Sequence, residues 1–326
     1  MNDRGIQVLE QYDLDVAKVW KGRGALIVES SQGMFRLLEY KGTINHLIYE
    51  EALLKYMTEH GFSLVNQIVQ NKEEALFSLD YAGMKYILVK HFPGGECEVK
   101  NWDDVCQAVK TLANLHKILE HVTLEGTEYI PELPDSMEEL QKHNRELKRI
   151  RTFMREKTRK TDFEYEVLAH FEEYNALALE AEQKLRTSGY PETAKLAVER
   201  GDICHGNYNY HNIIHHGNHM AVINFEHSGK GILIRDFYFF LRKVMEKYDW
   251  NIQSGQELVE LYDQIRPIPK EELQILKILL SYPEKFWKVL NHYYNSNKAY
   301  LPDQMRDKMK KVYAQQRQKN QFVFTF

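Results

Sequence analysis

The sequence predicts a two-lobed α+β fold, with a small β-rich N-terminal lobe and a large helical C-terminal lobe. Three observations lead there. Residues 1–92 hold short β-branched and aromatic runs separated by glycines, helical periodicity dominates from Trp102 onward, and one strand–loop–strand unit at 203–227 interrupts the helices. At 326 residues the chain is long for one core, so two lobes sharing a cleft suit its length. The expected division is 1–92 for the first lobe and 93–326 for the second.

Val16 to Trp20, Ala25 to Glu29 and Met34 to Tyr40 read as an antiparallel meander, with Gly22, Gly24 and Gly33 at its turns. A helix is expected over Ile44 to His60, where Leu47, Ile48, Leu53, Leu54 and Met57 recur at helical spacing and Gly61 stops the run. Ala75 to Tyr81 and Lys85 to Lys90 flank Ala82-Gly83-Met84 as a hairpin. That makes five strands and one helix, followed by Phe92-Pro93-Gly94-Gly95 as a hinge. Beyond it, Trp102, Val105, Val109, Leu112 and Leu115 share one helical face, and Phe163 to Leu185 continues the helical pattern. The charged stretch Glu138 to Lys160 reads as a solvated helix whose basic excess could dock an acidic partner. The aromatic-rich end, with Tyr293, Tyr294, Tyr300, Tyr313, Phe322, Phe324 and Phe326, is expected to pack on the helical lobe.

An apolar share of 43% with 28% charged residues describes an ordinary globular protein. The net charge of -4 provides no general attraction to nucleic acid or to an acidic membrane. Three cysteines without paired spacing argue for a reducing compartment and against a disulfide framework or a zinc site. Met1 to Asp15 is too polar for a signal peptide, and no apolar run approaches the ~18 residues of a membrane span. A cytoplasmic protein is the expectation.

The chemistry concentrates in His205-Gly206-Asn207-Tyr208-Asn209-Tyr210-His211-Asn212, followed by Ile223-Asn224-Phe225-Glu226 and Arg235-Asp236-Phe237. A phosphotransfer loop needs a base beside the attacking hydroxyl, an amide for a metal about one turn later, and a carboxylate on the next hairpin to hold magnesium against phosphates. The spacing fits that plan. His116, at the end of an apolar helix face, reads as a packed histidine. His211, His215, His216 and His219 lack the paired spacing of a metal site and read as solvated or hydrogen-bonded.

The segment resembles the H-G-D-x-x-x-x-N loop and D-F-D strand of the aminoglycoside and choline kinase superfamily. Within it, the chain is most similar to the CotS-type spore coat-associated proteins of endospore-forming bacteria, the group that includes YsxE and YutH. The matching stretches are Lys21 to Ala25 with Gly33 to Tyr40, Gly94 to Cys97, Leu112 to Lys117, Phe239 to Met245, Tyr282 to Trp287 and Tyr293 to Lys298. The resemblance implies a protein-kinase-like fold. It places Asn207 where the superfamily has its catalytic aspartate and Asn224 where it has the metal-binding one. A neutral amide takes no proton near pH 7, and losing a positioned base costs ~10²–10⁴-fold. An amide is also a weaker magnesium ligand than a carboxylate.

By the same resemblance, Asn212 is a second metal ligand and Asp236 a structural brace of the loop that contains His205. Glu226, two residues beyond Asn224 on an expected strand, and Asp202 are candidate substitute carboxylates. Gly22 and Gly24 would form a phosphate-covering turn. Arg36 would replace the usual lysine of the third strand, with Glu50 as its helix partner. The implied function is a kinase-like component of the spore coat that has lost catalysis, a pseudokinase, with other coat proteins as partners and with ATP and Mg²⁺ weakly bound or lost. The alternative is an ATP-dependent phosphotransferase with atypical metal ligands, acting on a small hydroxylated molecule.

Overall fold

The computed structural model describes residues 3–295 and 302–325. Ser296 to Lys298, Tyr300 and Phe326, which figured in the sequence expectations, lie outside the described residues. The fold is mixed, with a β-sheet region at the N-terminus and a mostly helical remainder. It divides into two compact units, Met1–Glu132 with Arg200–Gly231, and Leu133–Glu199 with Ile232–Phe326.

In the first unit the strands are β1 (Val16–Lys21), β2 (Leu26–Ser30), β3 (Gly33–Glu39), β4 (Ile68–Val69), β5 (Ser78–Leu79) and β6 (Lys85–Lys90), with helix α1 (Ile44–Glu59) between β3 and β4. They form one antiparallel sheet in the order β1-β2-β3-β6-β4, with β5 also paired to β6. Strand alternation sends Val28, Phe35, Leu37 and Leu88 to one face, where Val8, Leu9 and Tyr12 cover them. Ile87 and Val89 face the other way and pack with Tyr40 and with Leu47 of α1. The Thr43 hydroxyl caps α1 by accepting from the His46 N–H at 3.2 Å.

Two features of this sheet were not anticipated. A 3-10 helix, Asp3–Gln11, supplies Val8 and Leu9 to the core from a stretch that had read only as polar. The sheet also has six strands instead of five, and the expected strand Ala75 to Tyr81 shrinks to Ser78–Leu79. Side chains explain the shrinkage. Asn71 Oδ1 accepts from the N–H groups of Glu73 and Ala75, and Asp80 Oδ1 from those of Ala82 and Met84, so local turns replace strand pairing.

The first unit continues through α2 (Trp102–Ile118), whose buried Val105, Val109, Leu112 and Leu115 form the anticipated face. His116 is fully buried there, as expected of a packed histidine. After the chain returns, β7 (Ile203–Cys204) pairs with β10 (Gly229–Lys230), and β8 (Ile213–His216) forms a hairpin with β9 (His219–Val222).

The second unit contains α3 (Ser136–Glu156), α4 (Asp162–Thr187), α5 (Tyr190–Arg200), α6 (Ile234–Met245), α7 (Ile252–Ile265), α8 (Lys270–Ser281), α9 (Glu284–Asn295) and α10 (Pro302–Val323). Thr161 and Glu164 close a reciprocal capping box at the start of α4. Tyr174 stacks on Phe286 at 4.4 Å and Phe237 on Tyr262 at 4.4 Å, which builds an aromatic core. Of the aromatic tail, Tyr293 packs on Phe163, Tyr313 on His170, and Phe322 is buried, while Phe324 is exposed. Along α3, Arg151 and Arg155 pair with Glu172 of α4. Among the described residues, no helix is long and apolar enough to cross a membrane.

Candidate functional site

The strongest candidate lies wholly within the first unit. It is a cleft of about 470 Å³ lined by Arg23, Arg36, Asn66, Glu96, Asn207, Asn212 and Asn224, among others. That volume is in the range of small-molecule sites, ~300–1,000 Å³. Backbone pairing shapes it. The hinge segment runs beside β8, with the Cys97 N–H donating to Ile213 O at 2.8 Å and the His215 N–H to Gly95 O at 2.9 Å. Gly94 is required at the crossing, because a Cβ there would lie 1.9 Å from His215 O.

The loop after β7 is held by its own side chains. His205 is fully buried, and its Nδ1 accepts from the Asn207 N–H at 3.2 Å. Its Nε2 must therefore carry the proton, which it donates to Ile223 O at 3.0 Å. With both nitrogens bonded to backbone, His205 is a brace between loop and hairpin. The Tyr208 hydroxyl adds a second anchor by donating to Ala108 O of α2 at 2.7 Å.

Five asparagines then form a connected amide network. Asn209 Oδ1 accepts from the His211 N–H, which fixes that side chain so that its Nδ2 donates to both Asn207 O and Asn207 Oδ1. Asn212 Nδ2 donates to Asn207 O at 2.9 Å, so its Oδ1 faces Asn224 and accepts from Asn224 Nδ2 at 2.8 Å. The Asn224 backbone is left-handed (φ 66°), a conformation asparagine tolerates, and its N–H donates to Asn66 Oδ1 at 3.0 Å.

This donor set does not fit a hard divalent cation. Magnesium seeks charged oxygen. Here the Asn212 oxygen is taken by an Asn224 N–H, so a cation seated between the two residues would meet a proton. The substitute carboxylates stand elsewhere. Residues 225–227 form a 3-10 turn, not the expected strand, because pairing with β8 ends at Val222. Glu226 is consequently 62% exposed, is paired with His227, and does not line the cleft. Asp202 is buried and accepts from Arg200 Nη2 at 2.6 Å and from the His121 N–H.

The Arg36 side of the cleft departs from expectation in one respect. Arg36 lines the cleft and Glu50 is buried on α1, yet the two form no ion pair. Arg36 Nη2 reaches Arg23 O at 3.4 Å, and burial lowers its pKa. Burial, with a contribution from Glu226, pushes the Glu50 pKa up to about 7. Burial and the Arg36 charge lower that of His91. Gly22 and Gly24 lie in the turn between β1 and β2, where the Gly22 N–H donates to Ala25 O and Gly24 has φ 69°. That turn places Arg23 at the cleft, 3.6 Å from Glu96, which also bonds His211. His215 pairs instead with Asp104 at 2.7 Å. Asp236 is buried in the first turn of α6, in the second unit.

Sequence reasoning missed Asn66, Glu96, Asn209 and Arg23 as cleft residues. Arg23, Glu96 and Asn209 sit inside motifs already singled out. Asn66 carries no local signal, and only the fold brings it to Asn224.

Fold and cleft together define a kinase-like protein, and solved structures agree. The chain shares 18% identity and a TM-score of 0.86 with an aminoglycoside phosphotransferase from Alicyclobacillus acidocaldarius, over 98% of this chain and 93% of that one. An AMP-bound spectinomycin phosphotransferase matches at 12% identity and TM-score 0.62, covering 95% and 96%. An amicoumacin kinase in complex with AMP-PNP and Ca²⁺ matches at 12% and 0.62, covering 98% and 94%. These likenesses show the fold. A comparison with curated protein sequences gives no match. Residues 6–326 match the family model described as "Spore coat putative kinase YutH", and the chain belongs to that family.

Proposed function

We propose that this protein is a pseudokinase of the spore coat, a structural or assembly component that keeps the kinase architecture without ordinary phosphotransfer. The observation that carries it is the Asn224–Asn212 hydrogen bond, in which an Asn224 N–H takes up the Asn212 oxygen and stands between two of the candidate metal ligands. Asn207 adds to it, since its amide oxygen already accepts from Asn209 and has no basicity to offer a hydroxyl. On this reading the protein is made in the mother-cell cytoplasm, joins the coat through other coat proteins, and is organised as lobes 1–92 and 93–326.

A second reading, an ATP-dependent phosphotransferase acting on a small hydroxylated molecule, draws support from Arg36, a cation held in the cleft as in a phosphate site. Calorimetric titration with ATP, with and without Mg²⁺, separates the two when repeated on Asn207→Asp/Asn224→Asp. The pseudokinase should show no metal-dependent tightening, and the double variant should acquire it. Turnover of Mg-ATP by the natural protein would favour the phosphotransferase.

A further inference from the structure

We propose that the outward face of α3 is a docking surface for an acidic segment of a partner protein, with carboxylates on Lys142, Arg145, Lys148 and Arg149 and an apolar anchor on Phe153. The inference goes beyond the pseudokinase reading and does not depend on the state of the cleft. All four cations are exposed, and among the described residues none of them makes an ion pair or a side-chain hydrogen bond. Helical spacing puts Lys142, Arg145, Arg149 and Phe153 along one stripe, with Lys148 beside it. The cations span about 10 Å of the helix.

The neighbours of these cations set them apart. On other helices of the same unit, Lys184, Arg186, Lys195 and Lys288 each reach a glutamate one turn away. On α3 the nearby glutamates are engaged elsewhere, since Glu139 accepts from Arg235 and Glu146 from the Trp287 indole. Arg145 has Lys142, Lys148 and Arg149 three and four positions away, an arrangement that destabilises a helix by like-charge repulsion. The helix dipole does not offset it, because its effect is confined to the last turn and Arg149 lies before that turn. Carboxylates from outside would remove the repulsion, and a guanidinium fork matches them two oxygens at a time. Phe153, 55% exposed and edge-on to Tyr294 at 5.4 Å, adds an apolar contact at the end of the stripe. Arginine and aromatic side chains are enriched in protein interfaces. Exposed Glu138 and Glu156 lie on the same face at the two ends of α3, so negative charge bounds the patch along the helix. Nucleic acid or an anionic membrane would press phosphates against those glutamates, while a short acidic segment ends before them.

The test is calorimetry of the full chain with poly-L-glutamate and with a glutamate–tyrosine copolymer, beside a DNA duplex and phosphatidylglycerol vesicles. The variants are Arg145→Gln/Arg149→Gln, the charge-keeping Arg145→Lys/Arg149→Lys, and Phe153→Ser. Lys18→Gln/Lys21→Gln, which removes two exposed cations from β1, is the control of equal charge change. Thermal melts report folding, and Arg145→Gln/Arg149→Gln should melt no lower than the natural protein because it relieves repulsion. Binding to both polymers is expected, tighter to the copolymer and weaker at higher salt. Arg145→Gln/Arg149→Gln should weaken it about tenfold or more, while the lysine pair and the β1 control should keep most of it. Phe153→Ser should erase the advantage of the copolymer. The assignment is overturned by absence of binding to either polymer, by affinity that survives Arg145→Gln/Arg149→Gln, or by an equal loss in the β1 control. Tighter binding to DNA or vesicles than to the polymers, or a copolymer preference that survives Phe153→Ser, overturns it as well. None of these outcomes alters the ATP titrations, so the pseudokinase reading stands or falls separately.

Discussion

Glu50 is 4% exposed on α1, and its carboxyl has a pKa of about 7 where an ordinary one has 4.5. In the fold it keeps its proton at pH values where the unfolded chain has lost it. Stability associated with this group is therefore fully present below pH 4.5 and is lost as pH rises through about 7. The loss is on the order of 3 kcal/mol. Glu50→Gln should flatten that slope, so denaturant melts at pH 5 and pH 8 should differ less for the variant than for the natural protein. An equal pH dependence in both would mean that Glu50 finds a cation when it ionises. Asn224 is the second residue with a clear signature. Its left-handed backbone suits aspartate as well as asparagine, so Asn224→Asp tests whether a carboxylate there confers metal binding without straining the chain.

Among the elements, α10 depends on one small residue of α7. A Cβ at Gly255 would fall 2.3 Å from the Phe322 ring and 2.9 Å from Met245. Phe322 is fully buried. Gly255→Ala gains up to ~1 kcal/mol in helix propensity but incurs ~1–3 kcal/mol of overpacking. A lower melting temperature is therefore expected, and a rise would show that α10 is not seated there. Farther along α10, Lys319 Nζ donates to Tyr282 O at 2.7 Å, beyond the last residue of α8. That bond satisfies a carbonyl at a helix end. In the first unit the β8–β9 hairpin has the corresponding role, since Ile213 and Ile223 supply the backbone oxygens that hold the hinge segment and His205.

For the whole molecule, membership of a spore coat family and the proposed pseudokinase reading lead to one expectation in sporulating cells. A fluorescent fusion should associate with the coat, and Asn207→Asp/Asn224→Asp should associate equally well, because assembly through protein contacts needs no phosphotransfer. Loss of coat association in the double variant, with its fold intact by melting, would tie assembly to the state of the cleft. Co-purification of coat proteins with the tagged natural protein provides a second readout.

Much of this was legible in the sequence because its signals are local. Strand alternation in β1 to β3, the apolar faces of α1 and α2, and the His205–Asn212 and Asn224 spacing are all written over short windows. So are Asn207 and Asn224, at the two positions where the resemblance expects aspartate. What the tertiary structure decided depends on residues far apart in the chain. Asn66 reaches Asn224, the Asn212 and Asn224 amides lock together, and Arg36 and Glu50 form no ion pair with each other. Glu226 turned outward because β9 ends at Val222, and strand length depends on what the partner strand offers, not on the residues that follow. Residue types and their spacing thus determined which amides and charges the cleft could hold. Only packing decided where the remaining charges stand, because burial and pairing are properties of neighbours in space.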